Sequence, residues 1–124
     1  MSDARTVLLV EDEDVMRTTL SAALSAAGYQ VIEAPDGEAG LALALEKHPD
    51  LVLTDLMMPK MGGLEMIRSL RKDAWGERVE VIILTNVSDT EALETAMKEG
   101  AFFYMVKGDS SMADVVEKVK SRIG

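Results

Sequence analysis

Five short apolar runs rich in β-branched side chains alternate with stretches of helical periodicity along the whole sequence. The runs occupy residues 6–10, 30–34, 51–54, 80–84 and 102–106, each close to the usual length of a strand. Four of the five lack alternation of polar and apolar residues. The second, with Gln30 and Glu33, is weaker. Unbroken apolar runs suit strands covered on both faces, as in a parallel sheet.

Between the runs lie helical patterns. Residues 14–27 put Val15, Met16, Leu20, Ala23, Leu24 and Ala27 on one face, and Gly28 supplies a stop. Residues 37–47 carry Leu41, Ala44 and Leu45 and end before Pro49. Residues 63–72 carry Leu64, Ile67 and Leu70, and residues 89–99 start at Ser88 or Asp89 and close at Gly100. Residues 111–123 follow Asp109-Ser110 and carry Met112, Val115, Val116, Val119 and Ile123. Five βα units joined by short connections predict a doubly wound α/β domain. With 124 residues the chain is read as one domain, 1–124. The one loose stretch is 73–78, where Trp75-Gly76 breaks the pattern.

Charge and composition narrow the function. There are 22 acidic against 13 basic residues, a formal balance of −9, which disfavours direct contact with nucleic acid or an anionic membrane. No apolar run approaches the roughly 20 residues that span a bilayer, and residues 1–5 lack the apolar stretch of a signal peptide. A cytoplasmic location is the expectation. The absence of cysteine removes disulfides, thiolate metal sites and cysteine nucleophiles.

Ligands of an open parallel sheet sit beyond the carboxyl ends of its strands. Glu11-Asp12-Glu13-Asp14 follows the first run, Asp55 the third, Thr85 and Asn86 the fourth, and Lys107-Gly108 the fifth. The second ends at Ala34-Pro35 and offers nothing reactive. Glu11, Asp12 and Asp55 crowded on one edge repel unless a cation joins them. Hard oxygen donors without histidine or cysteine favour Mg²⁺ or a similar ion. A carboxylate can also act as a nucleophile that forms an acyl phosphate. Lys107 and Thr85 would then offset and hydrogen-bond the phosphoryl oxygens.

The segments 8–12 (LLVED), 53–63 (LTDLMMPKMGG), 83–85 (ILT) and 104–107 (YMVK) resemble the receiver domain of two-component response regulators. The resemblance covers essentially the whole chain. It implies a flavodoxin-like (βα)5 fold, a five-stranded parallel sheet in the order 2-1-3-4-5. It implies Asp55 as phosphoacceptor, with Asp12 a direct Mg²⁺ ligand beside Asp55, Glu11 acting through water and the Met57 backbone carbonyl completing the set. By the same resemblance Thr85 is the switch hydroxyl, Tyr104 the aromatic rotamer switch and Lys107 the partner of the phosphoryl group. The donor is then a sensor histidine kinase or phosphotransfer protein. The output is a surface on the fourth helix, fifth strand and fifth helix, read by an effector protein, an output domain or a second copy in a phosphorylation-dependent homodimer. Such a chain is a phosphoacceptor switch rather than an enzyme, able to take phosphate from small donors.

One departure is Gly108, where the family usually has proline, which puts the backbone path after Lys107 in question. Another expectation concerns lifetime. Met57 and Val87 sit two residues after Asp55 and Thr85, places that in receivers flank the path of attacking water. Both are apolar, so slow self-dephosphorylation is expected.

Each residue also has a plainer reading. Glu13 and Asp14 suit the positive end of a helix, Thr85 suits a strand, and His48 suits a last helical turn. The nine methionines fill cores. Gly62-Gly63 lacks the Lys-Ser/Thr of a P-loop. The competing functional classes are an interaction module that works without phosphorylation and, less well supported, a small α/β phosphatase with Asp55 as nucleophile.

Overall fold

The computed structural model describes residues 4–86, 90–101 and 103–124. The elements alternate as the sequence predicts: β1 (Thr6–Val10), α1 (Asp14–Ala26), β2 (Gln30–Ala34), α2 (Gly37–Lys47), β3 (Leu51–Thr54), α3 (Gly63–Lys72), β4 (Glu80–Thr85), α4 (Thr90–Lys98), β5 (Phe103–Val106) and α5 (Met112–Ile123). All paired strands are parallel, and the sheet order is β2-β1-β3-β4-β5.

The period-2 geometry of the strands splits the core into two layers. Leu8, Val10, Val52, Val81 and Ile83 point to one face and pack with Ala44 of α2, Met66, Ile67 and Leu70 of α3 and Ala96 of α4. Val7, Leu9, Leu51, Leu53, Ile82 and Leu84 point to the other, against Leu20 and Leu24 of α1 and Val115 and Val119 of α5. The described residues of β1, β3 and β4 beyond their first positions are therefore buried throughout. The reading of four doubly covered strands holds for these three but not for β5. As an edge strand, β5 leaves Tyr104 exposed and its other residues half-buried, and β2, the opposite edge, is similarly open.

Helix boundaries follow local chemistry. Gly28 (φ 101°) and Gly100 (φ 113°) adopt left-handed backbone beyond α1 and α4, which glycine does without a Cβ penalty. Ala27 caps α1 rather than extending it. Ser111 caps α5 through a reciprocal capping box with Asp114. The proposed caps of α4, Ser88 and Asp89, and the proposed first residue of the fifth strand, Phe102, lie outside the described residues. His48 is not in the last turn of α2. It caps that helix in left-handed conformation (φ 50°), and its ring stacks on Trp75 with centroids 4.5 Å apart.

The expected loose stretch 73–78 is tethered. The Arg71 guanidinium donates to the carbonyls of Gly76 and Val79, and also to that of Gly100. Among the described residues no helix is long and apolar enough to cross a membrane.

Candidate functional site

Strand register brings the site together. Val10 of β1 pairs with Thr54 of β3, so the next residues, Glu11 and Asp55, emerge side by side at the carboxyl edge. The Asp55 amide donates to the Val10 carbonyl at 3.0 Å. On the far side Thr85 pairs with Val106, and the Lys107 amide donates to the Thr85 carbonyl at 2.8 Å. That bond fixes where the lysine leaves the sheet.

Lys107 reaches across to the acids. Its Nζ lies 2.8 Å from Asp55 Oδ2, 2.9 Å from Glu11 Oε1 and 3.6 Å from Glu13 Oε1. The Lys107 and Glu11 side chains are 8% and 2% exposed, so neither charge is solvated and each depends on the other. Burial alone would lower the lysine's pKa, but hydrogen bonds to Asp55 and Glu11, together with their charges, outweigh it and push it up. For Glu11, burial and the neighbouring Asp55 push the carboxyl upward, against the hydrogen bonds from Lys107 and the Glu13 amide. A buried cation held between two acids is costly to break, because removing one partner strands the others.

The remaining oxygens are anchored by backbone. The Leu56 amide donates to Asp55 Oδ1 at 2.8 Å, and the Glu13 amide to Glu11 Oε2 at 3.1 Å. Gly63 admits α3 against this turn. A Cβ there would lie 2.3 Å from the Asp55 carbonyl oxygen, so the close approach of helix and strand end requires glycine.

Glu11, Asp12 and Asp55 can each present one carboxylate oxygen within 4.8 Å of the others. The donor set is entirely hard oxygen, and Asp12 is exposed while the other two are buried. Such a set fits Mg²⁺, which prefers oxygen ligands and keeps several waters.

The two residues expected to act as a switch, Thr85 and Tyr104, stand apart from this cluster. Thr85 is buried, and its hydroxyl donates to the Asn86 carbonyl at 3.1 Å rather than to Asp55. Tyr104 is 48% exposed and borders a surface cavity of about 410 Å³ lined by Thr90, Leu93, Glu94, Met97 and Lys98. The Met57 side chain is 62% exposed on the loop after Asp55. Val87 lies outside the described residues. Gly108 does not disturb the path: among the described residues no peptide is cis, Gly108 stays out of the left-handed region, and the ammonium meets Asp55.

Glu13 and Arg17 gain roles that the sequence reading did not give them. Glu13 precedes α1 without making a side-chain cap bond, and its carboxylate turns to Lys107. Arg17 donates to the Glu11 carbonyl and pairs with Asp14 and with Glu33 of β2. The three-residue spacing from Asp14 to Arg17 was a helical-pair signal for one of these contacts. Nothing local marks the others.

Residues 7–120 match the family model of the response regulator receiver domain. The chain belongs to that family. A probable transcriptional regulator of Porphyridium aerugineum is 42% identical over 101 residues, covering 82% of the chain and 41% of that protein. The phosphate regulon transcriptional regulatory protein of Pseudomonas aeruginosa is 31% identical over 117 residues, covering 94% of the chain and 51% of that protein. The receiver chain thus spans about half or less of these curated relatives. Among solved structures, a chemotaxis response regulator of Vibrio cholerae superposes with a TM-score of 0.90 at 26% identity, covering 98% of this chain and all of that one. The receiver domain of a Pseudomonas aeruginosa sensor histidine kinase, solved with magnesium in its active-site cleft, superposes at 0.89 with 29% identity, covering 98% and 99%. The receiver fold and the expected strand order agree with both neighbours.

Proposed function

We propose that Asp55 is the phosphoacceptor of this receiver domain and that Lys107, Thr85 and Tyr104 carry the consequence of its phosphorylation to the α4–β5–α5 surface. The observation that carries the reading is the shared ammonium. Lys107 bridges Asp55 and Glu11 at 2.8 and 2.9 Å, beside a carboxylate set suited to a divalent ion.

In the transfer, an Asp55 carboxylate oxygen attacks phosphorus as the bond between phosphorus and the donor's imidazole nitrogen breaks. The leaving imidazole takes up a proton from solvent. Glu11, Asp12, Asp55 and the Met57 carbonyl would hold Mg²⁺, Glu11 through water. The ion, when bound, supplies positive charge against the phosphoryl oxygens. Lys107 adds the second positive charge, already aimed at the acceptor and largely shielded from water. Once Asp55 carries a phosphoryl group, the Thr85 hydroxyl has a stronger acceptor than the Asn86 carbonyl. Its inward turn opens space for Tyr104 to leave its exposed position. The two arrangements need differ by only a few kcal/mol for phosphorylation to select between them.

The donor in this reading is a sensor histidine kinase or phosphotransfer protein in the cytoplasm. The reader is an effector protein, an output domain or a second copy. Small phosphodonors also suffice, which gives the test: incubation with acetyl phosphate with and without Mg²⁺, followed by intact mass. A Mg²⁺-dependent single phosphoryl adduct that Asp55→Ala removes supports the reading. No adduct, or an undiminished one in the variant, overturns it.

A further inference from the structure

We infer that Arg17 is a positioning residue for the metal ligands, holding the peptide that joins Glu11 to Asp12. This rests on the metal site proposed above and names a residue that supports it from behind.

The Glu11 carbonyl belongs to the peptide linking the two acids. Arg17 Nη1 donates to that carbonyl oxygen at 2.9 Å. Glu11 is fixed by several other bonds: its amide donates to the Ala34 carbonyl at 3.0 Å, and its carboxylate meets Lys107 and the Glu13 amide. Asp12 is exposed, so packing does little to direct its carboxylate. The tilt of the preceding peptide therefore does much of the aiming, and Arg17 sets that tilt.

The guanidinium is itself held rigidly. Its Nη2 lies 2.6 Å from Asp14 Oδ1 and its Nε 3.5 Å from Glu33 Oε1, with only 17% of the side chain exposed. One planar fork thus ties the first turn of α1, the end of β1 and the edge strand β2, a geometry that a lysine ammonium cannot reproduce. Glu33 is in turn bonded by the Ser21 hydroxyl at 3.2 Å. Glu33, one of the polar residues that weakened the strand reading of 30–34, thereby acquires a purpose.

Charge and geometry make opposite forecasts for this residue, so an experiment can separate them. A cation near three carboxylates weakens binding of a divalent ion, and its removal should tighten binding. A positioning donor strengthens binding, and its removal should weaken it. Loss of an outer hydrogen bond to a metal site typically costs about tenfold or more in affinity.

Calorimetric titration with Mg²⁺ of wild type, Arg17→Gln and Arg17→Lys, with urea unfolding of each to establish that it is folded, reads this directly. Arg17→Gln is expected to raise the Mg²⁺ Kd about tenfold. Arg17→Lys, which keeps the charge and one donor, should recover part of the loss and keeps the comparison available if glutamine unfolds the chain. An unchanged or lower Kd in the folded variants, with normal binding by wild type, overturns the role of Arg17 alone. Absence of Mg²⁺ binding by wild type overturns the metal reading and this inference with it.

Discussion

Lys107 and Asp55 are 52 residues apart in sequence, yet the lysine ammonium donates to Asp55 Oδ2 at 2.8 Å. The same nitrogen holds Glu11 at 2.9 Å, so one cation offsets the repulsion between two acids at the sheet edge.

Replacing this lysine should expose that repulsion. Lys107→Met in metal-free buffer is expected to lose about 3 kcal/mol at neutral pH, since a buried charge pair broken on one side leaves the other uncompensated. The sign with pH follows from the shifts. The lysine's folded pKa is raised, so its contribution is complete below its ordinary value of 10.5 and is lost as pH rises through the folded value. Glu11's folded pKa is also raised above 4.5, so protonating it as pH falls favours the folded state and relieves the stranded charge. The variant's deficit in urea unfolding should therefore be larger at pH 8 than at pH 5. A deficit independent of pH would count against the shared-ammonium picture.

Gly63 offers a steric test of the turn after Asp55. Its missing Cβ leaves room for the Asp55 carbonyl, 2.3 Å from where that atom would stand. Gly63→Ala should cost about 2 kcal/mol, the scale of overpacking, and should slow phosphorylation by shifting the acceptor's backbone. Gly28→Ala, strained at its φ of 101° but far from the site, should cost stability and leave the phosphorylation rate of the folded protein unchanged. Equal rates for the two variants would show that the turn at Gly63 does not position Asp55.

Much of this was legible in the chain. Buried strands such as β1, β3 and β4 announce themselves because both faces need apolar residues, and parallel order then forces their carboxyl ends together. Asp55, Lys107 and the acid pair were readable for that reason. The openness of β5 was not, because Tyr104 and Met105 look alike in a pattern and only an edge position distinguishes them. The contacts of Glu13 with Lys107 and of Arg17 with Glu33 were equally hidden. Charges at the start of a helix have a sufficient local explanation, and only the folded structure shows that Glu33 of β2 comes within reach of Arg17. The stacking of His48 on Trp75 joins two loops that no periodicity links.

The lifetime of the acyl phosphate should depend on Met57. Its side chain stands exposed just past Asp55 and can neither donate to nor orient a water. Met57→Asn is expected to hasten phosphate release severalfold after loading with acetyl phosphate and removal of the donor. Release from wild type within seconds, or no acceleration in the variant, would contradict slow self-dephosphorylation.

The central claim is that Asp55 itself carries the phosphoryl group, and borohydride trapping tests it most directly. Hydride reduces an acyl phosphate to the alcohol, converting a phosphorylated aspartate to homoserine at its own position. After treatment with acetyl phosphate and Mg²⁺, peptide mapping should find homoserine at position 55 alone. Its appearance instead at position 12, or no reduced residue in a sample whose intact mass shows phosphorylation, would contradict the assignment.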